Sequence, residues 1–186
     1  MAEASASAAN EEARETPPQK RRRWALFGGI AAVVVALDQL TKIWVDASFE
    51  RAADGGSSEL IGDLVRISKV YNDGAIFGFL DTSAMLMALL TVFVVLAVVW
   101  YEWRHGAGLG PLVTVGLGLL TGGAIGNLID RLRFGHVIDF VDMGIGDARW
   151  YAWNISDAAV FLGIVALFVA ALLGDRAPGV RSGGKS

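Results

Sequence analysis

The sequence predicts an all-α integral membrane protein with four transmembrane helices and a small extracytoplasmic β-hairpin, or cradle, between the first and second of them. Two observations lead to this fold class. Of the 186 residues, 54% are hydrophobic and only 19% are charged, and the mean hydropathy is +0.48, a balance typical of membrane proteins and not of soluble domains. The hydrophobic residues also gather into four runs, each long enough to cross the roughly 30 Å hydrocarbon core as a helix.

The first element is a polar tail that leads into the first span. Residues 1–23 begin with a stretch rich in Ala, Glu and Ser, which cannot bury enough apolar surface to offset the entropy of ordering. We therefore expect a disordered cytoplasmic tail. Residues 20–23 are basic and precede the apolar run 24–45. This run resembles an uncleaved signal anchor, because a cleavable signal peptide has a shorter apolar region and an A-x-A-like site.

Three further spans are predicted at residues 83–103, 109–129 and 155–173. The third span is rich in glycine, and several of its glycines have the spacing that lets helix backbones approach closely. We expect it to lie at the packed centre of the bundle. Residues 175–186 form a second cytoplasmic tail, so that the predicted membrane domain covers residues 24–174.

The basic residues set the predicted orientation. They flank the first span on its N-terminal side, occupy the short second loop and follow the last span, so the positive-inside rule places both termini in the cytoplasm. The loops 46–82 and 130–154 then face outward. Residues 64–71 alternate partly and lead into the Asn72-Asp73-Gly74 turn, which predicts the β-hairpin.

Composition excludes several kinds of function. The chain has no Cys, only two His and a net charge of −3, so we expect no Cys-based or His-rich metal site and no nucleic-acid partner. The motifs HExxH and GxSxG are also absent from the sequence. The chemistry that remains is that of carboxylates.

Five aspartates lie in or beside the membrane, and an intramembrane carboxylate is costly and commonly functional. Asp157 opens the last helix, where an anion is also ordinary helix-start chemistry, with Asn154 or Ser156 as the cap. A second carboxylate nearby would share a proton with Asp157, and such a pair can activate water against a peptide bond. Spacing leaves the partner open. The candidates are Asp130, Asp139 and Asp142.

Two other charged groups have a structural and a functional interpretation. Asp38 and Lys42 stand four residues apart on one helical face, in the order that favours an ion pair, and we prefer mutual neutralisation as their role. Arg131 either holds a substrate carbonyl with its fork of donors or extends its charge to the membrane surface. The tryptophans at the predicted helix ends are typical of an aromatic belt.

Five motifs occur in the order and spacing seen in one family. They are DQLTK (38–42), YNDGAIF (71–77), GGAIGNLIDR (122–131), GHVIDF (135–140) and WNISDA (153–158). The chain resembles the lipoprotein signal peptidase, or signal peptidase II, family over residues 24–174. The resemblance implies a four-helix aspartyl endopeptidase of the bacterial inner membrane that removes the signal peptide of a prolipoprotein just before the diacylglyceryl-modified cysteine.

The resemblance also implies roles for individual residues. It selects Asp139 and Asp157 as the catalytic pair, and it implies that Asn72 and Arg131 grip the substrate main chain. The supporting or substrate-binding residues, which include these two, are Asp38, Lys42, Asn72, Gly74, Asn127, Asp130, Arg131 and Asn154. The implied partners are prolipoproteins and membrane lipids, the inhibitor is globomycin, and no cofactor or metal is needed. We expect a monomer whose active site lies near the outer face.

Two other functions fit the carboxylates. One is a proton or cation carrier, which is weakened by the small number of spans and by acids that lie near one surface. The other is a scaffold subunit in which every polar residue only satisfies a neighbour.

Overall fold

The computed structural model describes residues 16–54, 56–73 and 84–175, and the elements below refer to these residues. The elements in chain order are helix α1 (Pro17–Ser48), strands β1 (Ser57–Ile61) and β2 (Val65–Asn72), helices α2 (Ala84–His105) and α3 (Pro111–Phe134), strands β3 (Val137–Ile145) and β4 (Ala148–Arg149), and helix α4 (Ile155–Leu173). Ala52–Asp54 and Gly106–Gly108 form single turns of 3₁₀ helix.

All four helices are long and apolar enough to cross a membrane, which confirms the predicted four spans. Their ends differ from the prediction. Helix α1 begins at Pro17, so the predicted disordered tail is wrong for residues 17–23, whereas residues 1–15 lie outside the described part. Helix formation here has local causes: Pro17 occupies the first turn, and the Gln19 side chain accepts a hydrogen bond from the Thr16 N–H at 2.9 Å.

Helix α3 is the centre of the bundle, as its glycines predicted, and it packs against α1, α2 and α4. It runs five residues beyond the predicted end at residue 129, which places Asp130 and Arg131 inside the helix. The contact with α4 needs glycine at position 123, because a Cβ there would lie 2.4 Å from the carbonyl oxygen of Ser156. The first turn of α4 therefore lies directly against the α3 backbone.

The four strands form one antiparallel sheet in the order β1-β2-β3-β4. The predicted strand over residues 64–71 is confirmed as β2, and it forms a hairpin with β1. The turn precedes β2, where the Leu64 N–H donates to the Ile61 carbonyl at 3.1 Å. Strand β2 ends at Asn72, and the turn predicted at Asn72-Asp73-Gly74 stays a prediction, because Gly74 lies outside the described residues.

Strand β3 was not predicted, and it places a carboxylate in the site. It pairs with β2, with Val70 opposite Asp139 and Asn72 opposite Val137. The other face of this pair buries Ile138 and Phe140 against Val45 near the end of α1. We call the end of the bundle where α1 and α3 finish and α4 begins the site end.

The close contact between α3 and α4 makes a prediction about stability. Gly123→Ala should lower the free energy of unfolding by about 1 to 3 kcal/mol, because the added methyl group must push the two backbones apart. Gly28→Ala is the matched control, since a Cβ at position 28 meets nothing within 4 Å. Thermal unfolding of both variants in detergent measures the difference. Equal stability of the two variants would contradict the packing described.

Candidate active site

Polar side chains from α1, β2, α3, β3 and α4 meet at the site end of the bundle. The structure brings together nine of the ten site residues that the sequence predicted, and the tenth, Gly74, lies outside the described residues. The nine are Asp38, Lys42, Asn72, Asn127, Asp130, Arg131, Asp139, Asn154 and Asp157.

The cationic centre of this cluster is Lys42, whose side chain is 2% exposed. Its Nζ lies 2.8 Å from Asp38 Oδ2, 2.9 Å from Asp130 Oδ2 and 2.8 Å from Asn127 Oδ1. An ammonium group has three N–H donors, so each has one acceptor. The ion pair predicted between Asp38 and Lys42 is therefore present, as part of a larger buried group that joins α1 to α3.

The two carboxylates of this group also bind backbone. Asp38 Oδ1 accepts the Ser156 N–H at 2.9 Å, and Asp130 Oδ2 accepts the Ile138 N–H at 3.1 Å. Gln39 Nε2 donates to Asp130 Oδ1 at 2.9 Å. The sequence analysis missed Gln39, although it lies within the DQLTK motif. These bonds fix the starts of α4 and β3 relative to α1 and α3.

Asn154 connects the two predicted catalytic aspartates. Its Oδ1 accepts the Asp157 N–H at 3.0 Å and its own N–H donates to Asp157 Oδ2 at 3.1 Å, so Asn154, and not Ser156, is the reciprocal cap of α4. Its Nδ2 donates to Asp139 Oδ1 at 2.6 Å and to Asn127 Oδ1 at 3.1 Å. Asn154 therefore donates to the Asp139 carboxylate from its side chain and to the Asp157 carboxylate from its backbone.

Each aspartate has a second amide donor. Asn72 Nδ2 donates to Asp139 Oδ2 at 2.9 Å, and Asn127 Nδ2 donates to Asp157 Oδ1 at 2.9 Å. Of the other acids that spacing left open, Asp130 is held by the ammonium group described above. Asp142 forms an ion pair with Arg149 at 3.0 Å. Asp139 is thus the candidate that shares a hydrogen-bonding partner with Asp157.

Asp139 lies outside the membrane-spanning helices and is 2% exposed. Burial raises its pKa to about 7, and the nearby negative charge of Asp157 acts in the same direction. Hydrogen bonds from Asn72 and Asn154 and the charge of Lys42 oppose the shift only in part. Asp139 can therefore hold or release a proton near neutral pH, which is the property expected of an acid–base group.

Arg131 lies beside this pair and is half-buried. Its Nη1 donates to the Asn127 carbonyl at 3.3 Å, while its buried Nε has no partner among the described residues. A buried N–H without an acceptor is costly. A group with a carbonyl oxygen placed at this position would satisfy it.

Comparison with known proteins assigns the family. The model of the family described as Signal peptidase (SPase) II matches residues 30–173, most of the chain. The chain belongs to the signal peptidase II family. This is a family of aspartic peptidases, so the chain is a peptidase. Its four apolar helices make it a membrane enzyme.

Relatives in the family are similar over most of their length. The lipoprotein signal peptidase of Syntrophomonas wolfei is 39% identical over 147 residues, which cover 79% of this chain and 93% of the relative. That of Burkholderia mallei is 38% identical over 143 residues, 75% of this chain and 82% of the relative.

Solved structures of two bacterial membrane enzymes share the fold. One, determined by the in meso method at 2.3 Å, has a TM-score of 0.69 and 28% identity and covers 84% of this chain and 92% of its own. The other, at 1.9 Å, has a TM-score of 0.67 and 29% identity and covers 77% and 90%. The four-helix membrane architecture with a small sheet is therefore that of an enzyme.

The buried ammonium group generates a second prediction. Lys42→Met should destabilise the fold by about 3 to 5 kcal/mol, because Asp38 and Asp130 are left buried without their cation. Lys20→Met removes the same charge at an exposed position and should change stability by no more than about 0.5 kcal/mol. Denaturant unfolding in detergent measures both. A Lys42→Met protein as stable as the control would show that the buried group does not hold the helices together.

Proposed function

We propose that the chain removes the signal peptide from diacylglyceryl-modified prolipoproteins by cleaving just before the lipidated cysteine, with Asp139 and Asp157 as the catalytic pair. Family membership and the relatives named lipoprotein signal peptidase support the substrate class. The observation that carries the catalytic assignment is the shared contact of both aspartates with the buried Asn154 side chain and backbone.

The proposed chemistry needs two carboxyl groups that interact, and the charge of Asp157 is near enough to raise the pKa of Asp139. Like charges at short range cannot both be ionised, so the pair retains one proton. The ionised carboxylate takes a proton from a water molecule as its oxygen attacks the scissile carbonyl carbon. The protonated carboxyl donates its proton to the developing oxyanion. When the tetrahedral intermediate collapses, the carbon–nitrogen bond breaks and the leaving amine receives a proton, so no covalent enzyme intermediate forms.

The remaining polar residues have supporting roles in this proposal. Asn72 and Arg131 hold the substrate main chain, since Asn72 contacts Asp139 directly and the Arg131 Nε has no described acceptor. Lys42, with Asp38, Asp130, Asn127 and Asn154, positions the pair. Gly74 remains a proposed substrate-binding residue outside the described part. Globomycin inhibition and a monomeric state are likewise proposals.

The orientation of the protein is also proposed. Arg23 Nη1 lies 2.6 Å from Glu102 Oε1, so the start of α1 and the end of α2 share one end of the bundle. The basic residues 20–23 and Arg104 lie at this end, opposite the site. By the positive-inside rule this end faces the cytoplasm, which puts both termini there and the catalytic pair near the outer face of the inner membrane. The signal helix can then enter sideways while the acyl chains stay in lipid.

Amide substitution tests the catalytic pair. Asp139→Asn and Asp157→Asn should each lower cleavage of a lipidated precursor by at least about 10³-fold, because neither variant can form a pair that shares a proton. The assay uses purified enzyme in detergent, with thermal unfolding to show that the fold is retained. Altered ion flux in liposomes without any change in cleavage would favour a carrier instead.

Asp142→Asn is the matched control. It removes a carboxylate three residues along the same strand, in a residue paired with Arg149 and not with the proposed site. Cleavage by this variant should stay within about threefold of the parent, a change of less than about 0.7 kcal/mol in the barrier. Loss of activity in Asp142→Asn together with normal cleavage by Asp139→Asn would show that Asp139 is not the partner of Asp157.

The raised pKa of Asp139 predicts how cleavage depends on pH. Below about pH 7 this buried carboxyl holds its proton, and above about pH 7 it loses it. Loss of the shared proton leaves two anions and no acid, so kcat/KM should fall about tenfold per pH unit on the alkaline side. Unfolding temperatures measured in the same buffers separate this effect from denaturation. A rate that is constant from pH 6 to 9 would be incompatible with a shared proton that Asp139 loses near pH 7.

A further inference from the structure

A chain of aromatic and cationic side chains lies at the site end of the bundle and has no part in the proposed chemistry. The Arg51 guanidinium lies 4.4 Å from the Tyr71 ring, whose centroid is 4.1 Å from the His136 ring. The centroid of the His136 ring also lies 6.0 Å from that of the Phe134 ring, and the Arg133 guanidinium lies 4.9 Å from the Phe134 ring. We call these five residues the aromatic ladder.

The two guanidinium groups of the ladder have unused donors. Within residues 16–54, 56–73 and 84–175, the side chains of Arg51 and Arg133 donate no hydrogen bond and form no ion pair. Glu50 and Asp54 flank Arg51 along the chain but are exposed and form no ion pair with it. By contrast, Arg66 on the same sheet is paired with Asp63. Contact with a ring uses the face of a guanidinium and leaves its N–H edge free.

The ladder lies beside the ends of two helices that are long and apolar enough to cross a membrane. Arg133 and Phe134 are the last residues of α3, and Arg51 follows the end of α1 by three residues. Aromatic side chains favour this interfacial level, and lipid phosphates lie at the same depth. A fork of guanidinium donors matches phosphate oxygens in geometry and charge.

We propose that the aromatic ladder binds anionic phospholipid headgroups, with the phosphate oxygens accepting hydrogen bonds from Arg51 at one end and Arg133 at the other. The rings hold the two guanidinium groups at headgroup depth. Strand β2 carries Tyr71 of the ladder and then Asn72, which donates to Asp139, so the lipid site adjoins the catalytic site. The proposal does not depend on the proposed function.

Lipid binding to the purified protein tests the ladder. Native mass spectrometry in detergent, with dioleoyl phosphatidylglycerol and dioleoyl phosphatidylcholine added in equal amounts, gives the ratio of the two lipids retained. The parent should prefer the anionic lipid. Arg51→Gln and Arg133→Gln should each lower this preference, and the double variant should lower it by about tenfold, as expected for loss of charge-assisted hydrogen bonds.

Arg66→Gln is the control, because it removes an equal charge from an arginine that is already paired, and its lipid preference should match the parent. Unfolding temperatures show whether each variant keeps its fold. Equal preference in the parent and the double variant, or an equal loss in Arg66→Gln, would overturn the proposal. Displacement of the phosphatidylglycerol by millimolar inorganic phosphate would also overturn it, since the site would then recognise a soluble anion.

Discussion

The buried ammonium group of Lys42 constrains the rest of the site. A charge that is 2% exposed is tolerated only if its hydrogen bonds are satisfied, so α1 and α3 must keep Asp38, Asp130 and Asn127 within reach of one nitrogen. The constraint extends further, because Asn127 Oδ1 accepts from Lys42. Its amide can then present only its N–H₂ group to Asp157. A cation in α1 thereby sets which end of an amide faces an aspartate on α4.

The start of α4 orients the Asn154 side chain in a similar way. Its Oδ1 is used by the Asp157 N–H at the start of α4, so its Nδ2 faces Asp139. The helix cap and the lysine therefore fix two amides, and both direct donors at the two carboxylates. These donors favour the ionised forms, while burial favours the protonated form. At Asp139 burial is the larger effect, and the result is a pKa of about 7.

How much of this was predictable depends on the range of each contact. The four spans and the capped Asp157 follow from local pattern, and the structure agrees with them. The partner of Asp157 depends on the register of β3 against β2, which is a nonlocal property, so spacing alone left three candidates. The helical start of α1 at Pro17 was not predicted, because the polar composition of residues 1–23 indicated disorder although a local cap at Thr16 starts the helix. Only the resemblance to a family selected Asp139.

The glycines of α3 link the packing of the bundle to the geometry of the site. A Cβ at Gly126 would lie 2.1 Å from Ser156 Oγ and 2.6 Å from Asp38 Oδ2. With glycine there, the first turn of α4 comes close enough for the Ser156 N–H to bind Asp38 at 2.9 Å. That bond holds the helix start on which Asn154 and Asp157 are placed. Small residues in the central helix of the bundle therefore do more than let helices pack, since the position of an acidic side chain depends on the space that they leave.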